Sequence, residues 1–171
     1  MDALKSRIRH VPDFPKAGIL FYDITTLLRN PKGLEATIDR LSEPYLKSSI
    51  DLVVGIESRG FILGSPVAQR LGAGFVPIRK PGKLPAKARK ETYELEYGTH
   101  ALEIHEPAVQ RGQRVWTVDD VPATGGTAAA AARLVKHLGG ELQGLAFLIE
   151  LMFLKGQSKL QGEKVYSVLQ Y

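Results

Sequence analysis

The densest chemistry lies in the stretch 115–127, VWTVDDVPATGGT. It opens with a short apolar, β-branched run that reads as a buried parallel strand. Two adjacent carboxylates, Asp119 and Asp120, fall where that strand ends. A loop of small residues follows, Ala123, Thr124, Gly125, Gly126 and Thr127, leading into an alanine-rich helix expected over about 127–138. Ligands of open α/β sheets lie outside the carboxyl ends of the strands, so acids and loop face one expected site. Glycines let the backbone approach an anion and turn successive N–H groups toward it, and the helix N-terminus adds partial positive charge. Thr124 and Thr127 add hydroxyl donors. Such a loop holds a phosphate. The carboxylates would repel it, so they should reach hydrogen-bond donors beside it, and ribose hydroxyls fit. Read as turn chemistry alone, the same residues make a plain strand-turn-helix connection.

Glu57-Ser58-Arg59-Gly60 follows the apolar run LVVGI with the same logic of strand end, tight turn and helix start. Spacing alone equally allows a capped helix with surface charges. A third chemical stretch, RKPGKLPAKARK, gathers Arg79, Lys80, Lys83, Lys87, Arg89 and Lys90. Pro81, Gly82 and Pro85 make it a loop. A solvated loop, a nucleic-acid patch and a lid over polyphosphate are all open on charge alone, although stacking on bases is not indicated without interleaved aromatics. His10, His100, His105 and His137 show no metal spacing, and Trp116 falls in the central strand, where it reads as core.

The elements that must position these groups alternate. A short helix is expected over 3–10, then an irregular segment punctuated by Pro12, Pro15 and Gly18. Asn30-Pro31 forms an N-cap and first-turn pair for a helix to about 48, disturbed at Pro44. Strands are expected at 52–56, 75–79, 114–119 and 142–151, with a short last one at the C-terminus. A helix runs to about 71, and a hairpin over 92–105 turns near Gly98. Alternation of strand and helix gives an α/β fold with a largely parallel central sheet flanked by helices, and the segment 14–28 stands outside it as a cover for the strand ends.

Composition narrows the class. The 171 residues suggest one domain, and 44% hydrophobic with 24% charged residues excludes a disordered chain. Cysteine is absent, which excludes disulfides and thiolate catalysis and suits a reducing cytoplasm. The N-terminal stretch lacks the apolar core of a signal peptide, and 145–154 is too short to span a bilayer. A net charge of +5 suits phosphorylated substrates or nucleic acid.

The string of apolar strand, two acids, short link and ATGGT resembles the signature of type I phosphoribosyltransferases for phosphoribosyl diphosphate (PRPP). One departure is Val121-Pro122, where that family usually has bulky aliphatics; proline removes one N–H. ESRGF, PDFPKAGILFYDIT, IRKPGKLP and YELEYG are similar to motifs of its adenine-specific branch, so the likeness covers nearly the whole chain. The resemblance implies a type I phosphoribosyltransferase-like fold over 1–171, with a hood mainly in 1–30 and a flexible lid at about 80–100. It implies transfer of the 5-phosphoribosyl group from PRPP to N9 of adenine, giving AMP and pyrophosphate. Ala123, Thr124, Gly125, Gly126 and Thr127 would hold the 5′-phosphate, and Asp119 and Asp120 the ribose. Glu57, Ser58, Arg59, Arg79, Lys80 and Lys83 would hold the diphosphate, with a cis peptide at Glu57-Ser58. Leu20, Phe21 and Tyr22 would receive adenine. Glu96 would take the N9 proton, Arg59 would share in catalysis, and Tyr97 would help close the site. Mg²⁺ held mainly by PRPP, a cytoplasmic homodimer, and no membrane or nucleic-acid partner complete the expectation. Two other functions share the signature: a phosphoribosyltransferase for xanthine, hypoxanthine or guanine, and a PRPP-sensing regulator that binds nucleic acid.

Overall fold

The computed structural model describes residues 3–95 and 98–171. Its centre is a five-stranded parallel sheet in the order β4-β3-β7-β8-β9, from β3 (Leu52–Ile56), β4 (Gly74–Ile78), β7 (Arg114–Asp119), β8 (Glu141–Glu150) and β9 (Val165–Gln170). Helices α2 (Pro31–Ser42) and α3 (Arg59–Leu71) cover one face, and α4 (Gly126–His137) covers the other. The near-continuous apolar strands follow from this. Successive side chains alternate between faces, so Val53 joins Leu63, Val67 and Trp116 in one core while Val54 joins Val115, Leu134 and Val135 in the other. Trp116 is buried, and its indole N–H donates to Leu41 O at 3.2 Å.

Helix α2 starts as expected. Asn30 is extended, and its side chain accepts from Gly33 N at 2.9 Å. The helix ends at Ser42 and passes into a 3-10 turn, Glu43–Tyr45, because Pro44 offers no N–H to continue it. The N-terminal region differs from expectation. In place of a helix over 3–10 there is a 3-10 turn, Lys5–Arg7, and then strand β1 (Arg9–Pro12), paired antiparallel with β2 (Leu20–Asp23). The segment between them is an ordered bend in which Asp13 accepts from Gly18 N at 2.7 Å and Phe14-Pro15 is cis. A one-turn helix, α1 (Thr25–Leu28), links this hairpin to α2.

The second hairpin, β5 (Ala88–Leu95) and β6 (Gly98–His105), is longer than the sequence pattern indicates. Its first strand takes in Arg89 and Lys90 from the basic run. Reciprocal backbone hydrogen bonds between Arg79 and Glu103, 2.9 and 2.8 Å, tie it to the chain just beyond β4. Among the described residues, no helix is long and apolar enough to cross a membrane.

Candidate active site

The carboxyl ends of β3 and β7 meet at Gly60. A Cβ there would fall 2.9 Å from Val118 O and 3.0 Å from Asp119 Oδ1, so only glycine lets α3 begin against the end of β7. This contact brings the two strand-end motifs together. A cavity of about 300 Å³ joins Glu57, Ser58, Arg59 and Lys80 on one side to Asp119, Asp120, Ala123 and Thr127 on the other. Arg59 Nε forms an ion pair with Asp120 Oδ2 across it. Asp119 Oδ1 accepts from Asp120 N at 2.8 Å. Burial, and after it the adjacent Asp120 charge, push the Asp119 carboxyl well above the usual carboxylate range. Such a pair calls for a cation or for donated hydrogen bonds before both members ionise.

The loop after the acids is shaped by two left-handed residues, Ala123 at φ 45° and Gly125 at φ 82°. Gly125 N donates to Pro122 O at 2.7 Å, so this amide closes the turn. Gly126 and Thr127 begin α4, where backbone N–H groups have no carbonyl one turn earlier to bond, and they remain as donors. Pro122 is buried and contributes its carbonyl to the turn, not an amide to the cradle. Behind the loop lies a residue that sequence reasoning missed. A Cβ on Gly156 would come 2.4 Å from Ala123 O, and one on Gly125 would come 2.1 Å from Gly156 O. Gly156 opens a 3-10 turn, Gly156–Leu160, which is fastened by a 2.6 Å hydrogen bond from Gln157 Nε2 to buried Glu150. An isolated glycine after an apolar run was the only signal in the sequence, and its partner is far away along the chain.

The Glu57-Ser58 peptide is cis. The Glu57 carboxylate accepts from Lys80 N at 2.9 Å and from Arg79 Nε at 3.1 Å. Burial opposes its ionisation, but these donors and the Arg79 charge outweigh it and hold the carboxyl below its ordinary value. Glu57 therefore orients the start of the basic segment. Lys83 is brought back to it, since its carbonyl accepts from Arg79 Nη1 at 3.3 Å. Lys87 lies apart, paired with Glu106 at 2.9 Å.

In the N-terminal hairpin, Phe21 packs edge-on against Phe14 with centroids 5.1 Å apart, and the Arg59 guanidinium lies 5.5 Å from the Phe21 ring centroid. This puts Phe21 beside the two strand-end loops. Leu20 is 42% exposed, whereas the Tyr22 ring packs against Tyr171 at 4.4 Å and His10 at 5.0 Å. Tyr22 can therefore offer a ligand its main chain more readily than its ring. Glu96 and Tyr97 lie outside the described residues. Nearby Tyr93 places its hydroxyl 3.1 Å from Thr127 Oγ1.

Comparison with known proteins agrees with this arrangement. The phosphoribosyl transferase domain model matches residues 23–170. An adenine phosphoribosyltransferase of Koribacter versatilis is 60% identical over 170 residues, spanning 99% of this chain and 93% of that protein. The crystal structure of adenine phosphoribosyltransferase from Thermoanaerobacter pseudethanolicus superposes with a TM-score of 0.95 at 50% identity, covering 98% of each chain. The Saccharomyces cerevisiae enzyme, solved with an imino-altritol bisphosphate and adenine, gives 0.92 at 46% identity, covering 97% of this chain and 96% of that one. Since these likenesses run through the N-terminal hairpin, both strand-end loops and the C-terminal strand, the chain belongs to the phosphoribosyltransferase family, in its adenine phosphoribosyltransferase branch.

Proposed function

We propose that this chain transfers the 5-phosphoribosyl group of PRPP to N9 of adenine, releasing pyrophosphate and AMP, as a purine-salvage enzyme. The observation that carries the assignment is the Arg59–Asp120 pair, which joins the two strand-end loops directly beside Phe21. The chain is read as one unit over 1–171, with residues 1–30 as hood and about 80–100 as lid, working as a cytoplasmic homodimer.

Breaking the C1′–O bond develops oxocarbenium character, as in glycoside cleavage. The protein's task is to position the two substrates, neutralise the leaving diphosphate and manage one proton. The amides of the 123–127 loop left free by the turn, with the Thr124 and Thr127 hydroxyls, hold the 5′-phosphate, and Gly125 shapes the loop. Asp119 and Asp120 accept hydrogen bonds from the ribose hydroxyls, which supply the donors that this paired, buried arrangement calls for. Arg59, Arg79, Lys80 and Lys83 face the diphosphate, and Glu57 acts by orienting Arg79 and the Lys80 backbone. Phe21 stacks on the base while the main chain at Leu20 and Tyr22 reads its edge. Glu96 accepts the N9 proton, and Tyr97 helps exclude water.

The donor set fits Mg²⁺. Asp119 and Asp120 are hard oxygen donors whose charges repel, and no group of three or more His, Cys, Asp or Glu that could hold a metal occurs among the described residues. Two carboxylates without a cage suit an ion that keeps waters and is held mainly by substrate oxygens. When bound, Mg²⁺ neutralises charge on the diphosphate.

A base panel with PRPP and Mg²⁺, followed by nucleoside monophosphate formation, tests the assignment. Adenine is expected to exceed hypoxanthine and guanine at least about a hundredfold in kcat/KM, which corresponds to about 3 kcal/mol of discrimination. Comparable turnover of an oxopurine would leave the fold intact and overturn the assignment to adenine.

A further inference from the structure

Strand β5 offers alternate residues to α4. Glu91, Tyr93 and Leu95 are partly buried while Thr92 and Glu94 are exposed. Each member of that face has a partner on the helix. Glu91 Oε1 accepts from Arg133 Nε at 2.5 Å, and the Tyr93 hydroxyl meets Thr127 Oγ1 at 3.1 Å. Leu95 lies over Gly126, where a Cβ would approach Leu95 Cδ2 at 3.1 Å and Tyr93 Cδ2 at 3.4 Å. Gly126 thus leaves room for the strand. A phenol from the second hairpin thereby ends on a hydroxyl of the loop that receives phosphate.

We infer that Tyr93 is a positioning residue for the 5′-phosphate, acting through the Thr127 hydroxyl; this rests on the phosphate assignment made above for the 123–127 loop. The reason is the hydrogen-bond capacity of each group. A threonine hydroxyl has one proton and two lone pairs, and a phosphate dianion only accepts. When Thr127 donates its proton to phosphate, it can receive one only on a lone pair, and the Tyr93 phenol supplies it. The phenol fixes which way the threonine proton points and strengthens the bond it makes to the anion. Tyr93 also lines a cavity of about 480 Å³ that reaches Glu57 and Lys80, so the diphosphate side is the competing destination for its hydroxyl.

The test separates the two halves of the substrate. Ribose 5-phosphate and inorganic pyrophosphate are titrated separately into the unsubstituted protein and into Tyr93→Phe, Thr127→Val, Thr127→Ser and the combinations of Tyr93→Phe with each Thr127 variant. Tyr93→Phe keeps the ring and removes only the hydroxyl. It should weaken ribose 5-phosphate about fivefold, the scale of one hydrogen bond, and leave pyrophosphate unchanged. The effect should vanish in the Thr127→Val background and persist in Thr127→Ser, which restores a hydroxyl. A loss of equal size in the valine and threonine backgrounds would show a packing role and overturn the inference. So would a loss directed at pyrophosphate. If Thr127→Val weakens ribose 5-phosphate but Tyr93→Phe does not, the phosphate assignment stands and the Tyr93 role fails. If Thr127→Val has no effect on ribose 5-phosphate, the Thr127 hydroxyl makes no bond to the phosphate and the Tyr93 role falls, whereas failure of ribose 5-phosphate to bind the unsubstituted protein would overturn the phosphate assignment itself.

Discussion

Asp119 and Asp120 bring two negative charges to the end of one strand, where Arg59 is paired with the second of them. The first is pushed toward its neutral form by burial and by its neighbour. The native state therefore holds a proton that the unfolded chain releases. Linkage then fixes the sign: stability falls as pH rises from the ordinary value of 3.8 through the raised native pKa, and above that value the full penalty is present. Asp119→Asn keeps the shape and an Oδ1 that still accepts from Asp120 N, but it does not titrate. In the ligand-free protein it should melt a few degrees higher than the parent at pH 8, with the gap closing as pH falls through that window. Activity should drop about a hundredfold or more, because in the proposed mechanism a neutral amide is a weaker acceptor for the ribose hydroxyls than a carboxylate. Thermal melts across pH check this, and a parent as stable as the variant at pH 8 would refute it. At this scale the sequence was legible wherever function and local geometry coincide. The acids, the glycine loop and the Asn30 cap all announce themselves over a few residues. Gly156 did not, because its requirement comes from Ala123 and Gly125 across a fold that no local pattern encodes.

The hood shows what short elements hide. Strands of four residues, the first ending on Pro12 and parted from the second by Pro15 and Gly18, carry too little periodicity to stand out, so the pairing of Arg9–Pro12 with Leu20–Asp23 was not readable from pattern. The hairpin is fixed by polar contacts at its base. Asp23 accepts from the Thr25 hydroxyl at 2.6 Å, from Thr25 N at 2.9 Å and from Arg9 Nε at 2.9 Å. The Thr25 hydroxyl and amide, followed by Arg9, lower the Asp23 carboxyl to about 2. A depressed carboxylate contributes stability that is present above its unfolded value near 3.8 and is lost as pH falls through about 2. At neutral pH the clasp is fully formed. Asp23→Asn removes the charge that holds Arg9 and should loosen the strand bearing Leu20, Phe21 and Tyr22. The expected result is a severalfold rise in KM for adenine with KM for PRPP unchanged, measured by varying each substrate in turn. A rise confined to PRPP would contradict the hood's role with the base. The second hairpin was legible in place but not in extent, because Arg89 and Lys90 read as loop charge while cross-strand pairing from Ala88 onward makes them strand.

The whole molecule follows from how its five parallel strands are joined: α3 and α4 carry two of the four connections, the β5–β6 hairpin a third and 3-10 turns the last, which leaves the strands' carboxyl ends on one side, where the charged loops collect. The central sheet was readable because strands covered on both faces must be apolar throughout. Strand order and the meeting of α3 with β7 came only from the structure. The distribution of charge has a kinetic consequence. Much of the positive charge is locally cancelled, with Arg59 on Asp120, Arg79 on Glu57, Arg9 on Asp23, Arg70 on Asp39 and Lys87 on Glu106. Lys80, which lines the cavity, and Lys83, whose carbonyl meets Arg79, are exposed and have no ion pair among the described residues. PRPP is polyanionic and adenine is neutral, so long-range attraction acts on one substrate alone. Raising ionic strength from about 0.05 to about 0.5 M shortens the screening length from over 10 Å to a few ångströms. KM for PRPP should then rise about fivefold or more while KM for adenine stays nearly constant. Lys83→Ala should raise KM for PRPP at low salt and flatten its salt dependence. Parallel salt effects on both substrates, or an unchanged slope in the variant, would show that the exposed lysines do not guide the diphosphate to the strand ends.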